Sequence, residues 1–355
     1  MSDVAALEQP IAPLPEEGIG SGAVAGRSPW ELAARRLLRD RVAMAALGLF
    51  VLIVLVSLAA PLYAEHIAHT DPFVPNLNGT TEVDGKQVPI MQQGGGALKL
   101  GVTPIGPTWH SNFFLGADNQ GRDVMARVLY GGRSSLLIGI GSALICGLAA
   151  VIVGLLAGFF GGLTDTVLSR ALDVIWAFPV YLLAISIATV LITQGLSIGP
   201  FSISASSLWL PTLIIALVYV PYVARPVRGS VLSVREKEFI DAAIAQGASN
   251  TRLMLSEILP NVISVVIVLL PLMIATTILT ESALSFLTIG VQPPQASWGT
   301  VISDGQQLLY TRPWVAIAPG IMIVLTVLSL NVLGDGIRDA LDPRAKRRIG
   351  RKAKA

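Results

Sequence analysis

The feature that most limits the folds open to this chain is where it carries no charge. No formal charge lies between Arg41 and Glu65, between Arg133 and Asp165, or between Asp173 and Arg225. A helix needs about 20 mostly apolar residues to cross the ~30 Å hydrocarbon layer of a bilayer. Six stretches meet that requirement: 42–63, 134–160, 171–193, 208–225, 261–286 and 313–334. The third and fourth are joined by a short turn through Gln194, Gly195, Ser197, Gly199 and Pro200. Only 14% of the residues are charged against 53% hydrophobic, with a mean hydropathy of +0.67. A soluble chain carries about 25% charged residues. The fold class expected is therefore an all-α membrane protein with six transmembrane helices and a long outer loop between the first two.

Lysine and arginine set the orientation, because they are retained on the cytoplasmic side. With six spans both termini share one side. On it fall Arg27, Arg35, Arg36, Arg39 and Arg41, then Arg170, then Arg225, Arg228, Arg235, Lys237 and Arg252, and finally the run from Arg338 to Lys354. Lys86, Lys99, Arg122, Arg127, Arg133 and Arg312 fall on the other side, most of them in one long loop where the rule has little force. Both termini are expected in the cytoplasm. Residues 1–27 are rich in Pro, Gly and Ala and read as a disordered tail, and 345–355 as a basic one. The net charge of +2 gives no reason to expect nucleic acid as a partner.

The chemistry of sites is nearly absent. The chain has no G-x-x-x-x-G-K-[ST] phosphate loop, no H-E-x-x-H and no G-x-S-x-G. No catalytic residue, cofactor or metal is expected. Cys146 lies within an apolar run and reads as a small core residue. His66 and His69 could share a helical face near Glu65 and Asp71, but a solvated loop is the simpler reading. Pro179, Pro211, Pro221, Pro271 and Pro319 fall within spans, as ordinary irregularities or as hinges. Asp173 stands at the inner start of the third span. Glu281, near the outer end of the fifth, is either a partly hydrated structural hydrogen-bonder or a residue of a translocation path or its outer gate.

Two polar segments carry information. In the outer segment 65–132, the first part is loop-like, with QQGGG and VTPIGPTW. The last part suggests a short amphipathic helix on the outer surface, Val124 and Val128 on one face and Arg122, Asp123 and Arg127 elsewhere. On the inner side, EFIDAAIAQGASNTRLMLSEILPN (238–261) reads as helix–Gly–helix. Good helix formers run from Val234 to Gln246, and Gly247 can end the helix in a left-handed conformation. Ser249 or Asn250 can cap the next helix. Pro260 suits the first turn of the fifth span. Ala242 and Ala243 let a partner surface approach, and Asp241 offers it a charge. Such a peg fits helix-in-groove recognition.

D-A-A at 241–243, Gly247, and E-I-L-P at 257–260 resemble the E-A-A loop of ABC-importer permeases. Asp241 replaces the usual Glu, and Glu257 stands where many such loops have an apolar residue. SPWELAARRLLRDRVAMAALGLFVLIVL (28–55), LGADNQGRDVMARVLYGGRSSL (115–136), FFGGLTDTVLSRALDVIWAFP (159–179), ALSFLTIGVQPPQASWG (283–299) and NVLGDGIRDALDPR (331–344) are similar to the dipeptide/oligopeptide/nickel permease family, C-type subunit. The resemblance covers about 28–344, with 70–110 unmatched. It implies a type I ABC importer permease fold in the plasma (inner) membrane of a prokaryote, for small peptides or related solutes. It implies a heterodimer with a second, B-type permease, two cytoplasmic ATPase subunits and an extracytoplasmic substrate-binding protein. The ATPase-coupling loop, 234–260, would contain Asp241, Ala242, Ala243, Gly247, Ser249, Leu259 and Pro260. The expected units are 28–64 with the first span, 65–132 outside, and a core permease domain at 133–344. The rivals are a secondary carrier or channel subunit that uses no ATP, for which 234–260 is a plain connector, and a membrane-anchored sensor, for which six spans are excessive.

Overall fold

The computed structural model describes residues 29–83, 85–93, 101–110 and 112–342. The expected tails 1–27 and 345–355, and most of the QQGGG run, lie outside the described residues. The chain begins with α1 (Pro29–Arg39), whose Arg36 Nη1 donates to the carbonyls of Ala340 and Asp342, each at 3.3 Å. A cation at a helix C-terminus meets carbonyls that lack intrahelical partners. Asp40 then caps α2 (Arg41–Leu58), accepting from the backbone N–H groups of Val42 and Ala43. The short α3 (Ala60–Tyr63) and a wide turn, Ala64–Ala68, end the first crossing.

The outer segment is more ordered than its composition suggests. β1 (Thr80–Val83) pairs with β2 (Lys86–Pro89), and β3 (Met91–Gln93) with β4 (Val102–Pro104), both antiparallel. Ile90, Ile105, Phe113 and Ala117 form a small core beneath them.

The expected surface helix before the second span is not separate. α4 (Val124–Phe160) is one helix of 37 residues, and its first turns are buried, Arg127 included. Gly131 and Gly132 serve close packing. A methyl at Gly131 would lie 2.9 Å from the Ser297 backbone, and one at Gly132 would strike Ser57 and Trp298.

The expected third span is also not one helix. α5 (Gly162–Trp176) and α6 (Val180–Gln194) are bent by 87°. Pro179 supplies no N–H and disfavours helix in Phe178, so the break falls there. The turn after α6 is a hairpin of β5 (Leu196–Ile198) and β6 (Phe201–Ile203). The fourth span is longer than expected: α7 (Trp209–Arg235) passes through Pro221 and Pro226 and continues inward. α4 and α7 make the most extensive helix pair. The spacing of Gly154 and Gly158 lets α7 approach, since a Cβ at either would lie within 2.7 Å of Val227 or Val231. Small residues four apart are the usual means of close helix contact in lipid.

After α8 (Glu238–Ala245), α9 (Asn250–Arg252) leads through a widened turn, Leu253–Ile258, into α10 (Leu259–Phe286). α11 (Trp298–Gly305) and α12 (Trp314–Leu341) complete the chain. Among the described residues five helices are long and apolar enough to cross a membrane, and there are six crossings by length and composition if the bent α5–α6 pair is one span. The architecture is all-α apart from the three small hairpins. Two apolar clusters make the core. One lies among α4, α7 and α10 and includes Ile215, Ala224, Val227 and Ile258; the other lies among α2, α4, α10, α11 and α12 around Trp298, Ile278 and Leu330.

Candidate functional site

The segment 234–260 hangs from the C-terminal end of α7, which is braced on two sides. Arg228 binds Asp165 of α5 through both nitrogens, Nε and Nη2, the latter at 2.6 Å from Oδ2. Arg235 Nη1 donates to the carbonyl of Phe159 at 2.8 Å, next to the end of α4. Helix does not run unbroken from Val234 to Gln246: α7 stops at Arg235, and α8 starts at Glu238 after Glu236 and Lys237.

Gly247 ends α8 as expected. It sits at φ +79°, its N–H donates to Ile244 O, and that of Ala248 donates to Ala243 O. This crossed pair satisfies the last carbonyls of α8 and turns the chain sharply. Ser249 then accepts from the backbone N–H of Arg252 at 3.4 Å and caps α9. Ile240, Leu253 and Ile258 are buried and hold the turn to the body of the protein. Asp241, Ala242, Gly247 and Ser249 are exposed, and Ala243 is half-buried. Phe239, Ile244 and Leu255 are apolar yet 40%, 54% and 54% exposed. The result is a knob with an acidic residue, small residues and unburied apolar side chains on one short surface.

Pro260 does not open a fresh helix. The widened turn, in which Leu259 N–H reaches back to Met254 O, carries α9 into α10 without a gap, giving one rod from Asn250 to Phe286. Widening removes the clash that proline makes with a preceding carbonyl. Asn261 Nδ2 donates to the Glu257 carbonyl at 2.7 Å in the same turn. Leu259 is half-buried beside it and Pro260 is exposed.

Glu281 lies toward the other end of that rod and has no exposed surface, so it is not partly hydrated. Ser135 of α4 donates to its Oε2 at 2.7 Å, and Ser285 to its Oε1 at 2.6 Å. Ser282 lies 3.4 Å from Oε2. Both close serines are in turn acceptors, Ser135 from Trp298 N–H and Ser285 from Val291 N–H. Trp298 Nε1 donates to Val128 O at 3.0 Å. One carboxylate thus organises α4, α10 and the connection 287–298. Beside it, the Tyr219 and Thr280 hydroxyls are 2.8 Å apart, joining α7 to α10.

A third constellation went unseen in the sequence. Arg122 contacts Asp118 at 2.8 Å and Asp304 at 2.9 Å; Arg127 contacts Asp304 at 2.8 Å and lies 3.2 Å from Asp118. Arg122 and Arg127, expected off the apolar face of a surface helix, are buried, because each finds both acids. The cluster ties the entry of α4 to α11. Asp123 is also buried and caps α4, accepting from Ala126 N–H and Phe113 N–H. Its burial outweighs those bonds and pushes its carboxyl up to about 6. Burial likewise raises that of Asp304, against the pull of the two arginines. The charges are visible as letters, but Asp304 is 182 residues from Arg122 and no local pattern joins them.

None of these groups pairs a nucleophile with a base. Among the described residues no three His, Cys, Asp or Glu gather where they could hold a metal ion. His66 and His69 are exposed near the end of the first crossing. What the arrangement offers is mechanical: an exposed knob, a long rod and a polar hub at the far end.

Residues 150–347 match the family model for the binding-protein-dependent transport system inner membrane component. Residues 28–78 match that for the N-terminal TM domain of oligopeptide transport permease C. The dipeptide transport system permease protein DppC of Alkalihalophilus pseudofirmus is 36% identical over 323 residues, 90% of this chain and 91% of its own. The glutathione transport system permease protein GsiD of Pectobacterium atrosepticum is 34% identical over 320 residues, 90% and 93% of the two chains. The oligopeptide transport system permease protein OppC of Escherichia coli (strain K12) is 34% identical over 321 residues, again 90% and 93%.

Proposed function

The chain belongs to the family of binding-protein-dependent transport system inner membrane components, as a multi-pass ABC-importer permease of the oligopeptide C type, and on that premise we propose that it carries small peptides inward, driven by ATP hydrolysed on partner subunits. The observation that carries the ATP-driven reading is the knob at 238–258. It holds exposed apolar residues that a plain connector has no reason to keep, on the same surface as Asp241. The partners are a second, B-type permease that completes the pathway, two cytoplasmic ATPases that grip the knob, and an outer substrate-binding protein. Both termini and the knob face the cytoplasm, in line with the distribution of lysine and arginine. Relatives that carry dipeptides, oligopeptides and glutathione by name support a peptide-like cargo.

The core permease domain is 133–344, with 234–260 as its ATPase-coupling loop. Asp241, Ala242, Ala243, Gly247 and Ser249 form the docking turn, and Leu259 and Pro260 join it to α10. Glu281 belongs to the outer gate, as the acid that must keep or release Ser135 when α4 and α10 move apart. Hydrolysis is the partners' task, and no cofactor is assigned to this chain.

The test is uptake in cells or proteoliposomes that contain the complete importer. Asp241→Arg and Gly247→Pro should abolish ATP-dependent uptake while the chain stays in the membrane at its normal level. Unchanged uptake in both variants would sink the docking assignment. Failure of any ATPase to copurify with the wild-type chain in mild detergent would favour a carrier that uses no ATP.

A further inference from the structure

On the outer face, an aromatic patch joins two segments distant in sequence. Trp314 opens α12, and Trp109 of the outer loop packs edge-on against it, ring centres 6.1 Å apart. Phe114 meets Trp109 in the same manner at 5.4 Å. The pairing is fixed by a polar clasp: Arg312 Nε donates to Pro104 O at 2.6 Å, and its Nη1 to Thr311 O at 2.9 Å. These rings are not core. Trp109 is 57% exposed and Phe114 and Trp314 are 36% exposed, with Leu309 and Tyr310 exposed in the turn just before.

The patch continues along one face of α12. Trp314, Ile317, Ile321, Val324 and Leu328 recur at three- and four-residue steps along α12, and all are exposed. On a helix that crosses the membrane, an unbroken apolar stripe of this kind is the surface that contact with hydrocarbon requires. Trp314 is the top of that stripe. Trp109 and Phe114 extend it by one further layer, at the level where tryptophan and tyrosine collect in membrane proteins, with ring in the apolar edge and polar tip in the headgroups.

We infer that the segment 104–114 and the turn 308–314 together lie in the headgroup layer of the outer leaflet, so that the long outer loop rests on the bilayer and its partner at this patch is phospholipid. The Arg312–Pro104 clasp makes the loop travel with the outer end of α12. The inference is independent of the cargo and of the ATPase.

A nitroxide on a cysteine introduced at Tyr310 or Leu309 reads the environment directly, in the assembled importer in phospholipid vesicles. The native Cys146 is buried and does not compete for label. Tyr310 has no packing to lose, so Tyr310→Cys should fold normally, and Leu309→Cys gives a second position. The expected result is more frequent collision with oxygen, which concentrates in lipid, than with a water-soluble nickel chelate. A label at Lys86, exposed in β2, should show the reverse ratio. Greater exposure to the chelate at 309 and 310 would overturn the inference. If that exposure then fell on adding the substrate-binding protein, the patch would be that protein's docking surface. Shielding from both reagents would overturn it too, and place the patch against another subunit.

Discussion

Glu281 shows how a carboxylate is carried inside a membrane protein without a counter-ion. Ser135 and Ser285 each give it a hydroxyl hydrogen, and each receives a backbone N–H in return, so neither serine is left half-satisfied. A buried hydrogen bond contributes about 0.5–1.5 kcal/mol net, and leaving each buried partner unpaired costs about 1–3 kcal/mol. Glu281→Ala should therefore lower stability by about 3 kcal/mol or more, read as an earlier thermal midpoint in detergent. Ser282→Ala, at the edge of the group, should cost far less, and equal losses in the two variants would refute the hub. The residue itself stood out in the sequence as an acid within an apolar span. Its partners did not, because Ser135 is 146 positions away and serines are common in the spans.

Elements were legible where one physical rule governs them. The absence of charge located the crossings, and a glycine between two helix-forming runs located the turn at Gly247, which takes the left-handed conformation expected. Reading failed where two rules compete. Pro179 breaks a span that hydropathy alone would join, while Pro260 breaks nothing because the turn before it widens. The amphipathic face at 124–128 suggested a separate surface helix but is the start of α4, where Gly131 and Gly132 make tight contacts. The glycines of α4 thus fall into two kinds, and substitution separates them. A Cβ at Gly158 would lie 2.7 Å from Val231, whereas one at Gly147 would make an ordinary 3.7 Å contact with Val266. Gly158→Ala should destabilise the α4–α7 pair by about 1–3 kcal/mol through overpacking. Gly147→Ala should be neutral or stabilising by up to ~1 kcal/mol, from the higher helix propensity of alanine. Thermal unfolding of the two variants in one detergent decides it.

At the scale of the whole molecule, both ends are held by charge: a cluster at the entry of α4, and the Arg228–Asp165 pair between α7 and α5 at the opposite end. Asp118, Arg122, Arg127 and Asp304 close the outer end around the entry of α4, with Asp123 beneath them. The acids give this end a dependence on pH. The carboxyl of Asp123 is raised from 3.8 to about 6, so between those values the folded protein binds the extra proton. Its contribution to stability is full below about 4 and is lost as the pH rises through about 6. The raised Asp304 acts in the same sense. Amide exchange at the start of α4 should therefore slow on going from pH 7 to pH 5, after correction for intrinsic rates. Asp123→Asn should weaken that response, and an unchanged response would assign it elsewhere. This layer was the least legible in sequence, since it depends on which distant loops meet.

The rod from Asn250 to Phe286 has a further consequence. At 1.5 Å per residue its 37 residues span about 55 Å. The knob and the Glu281 hub therefore sit on one beam with no loop between them, and a push on one end cannot be absorbed as slack. Compliance is confined to two places, the widened turn at Leu253–Ile258, close to the knob, and Pro271, where one ladder hydrogen bond is missing. A joint that near to the knob leaves the beam freer to rotate about its own length than to make a long lateral sweep there. Twisting α10 by even part of a turn would carry the Glu281 carboxylate out of reach of Ser135 while leaving Ser285, on the same helix, still attached.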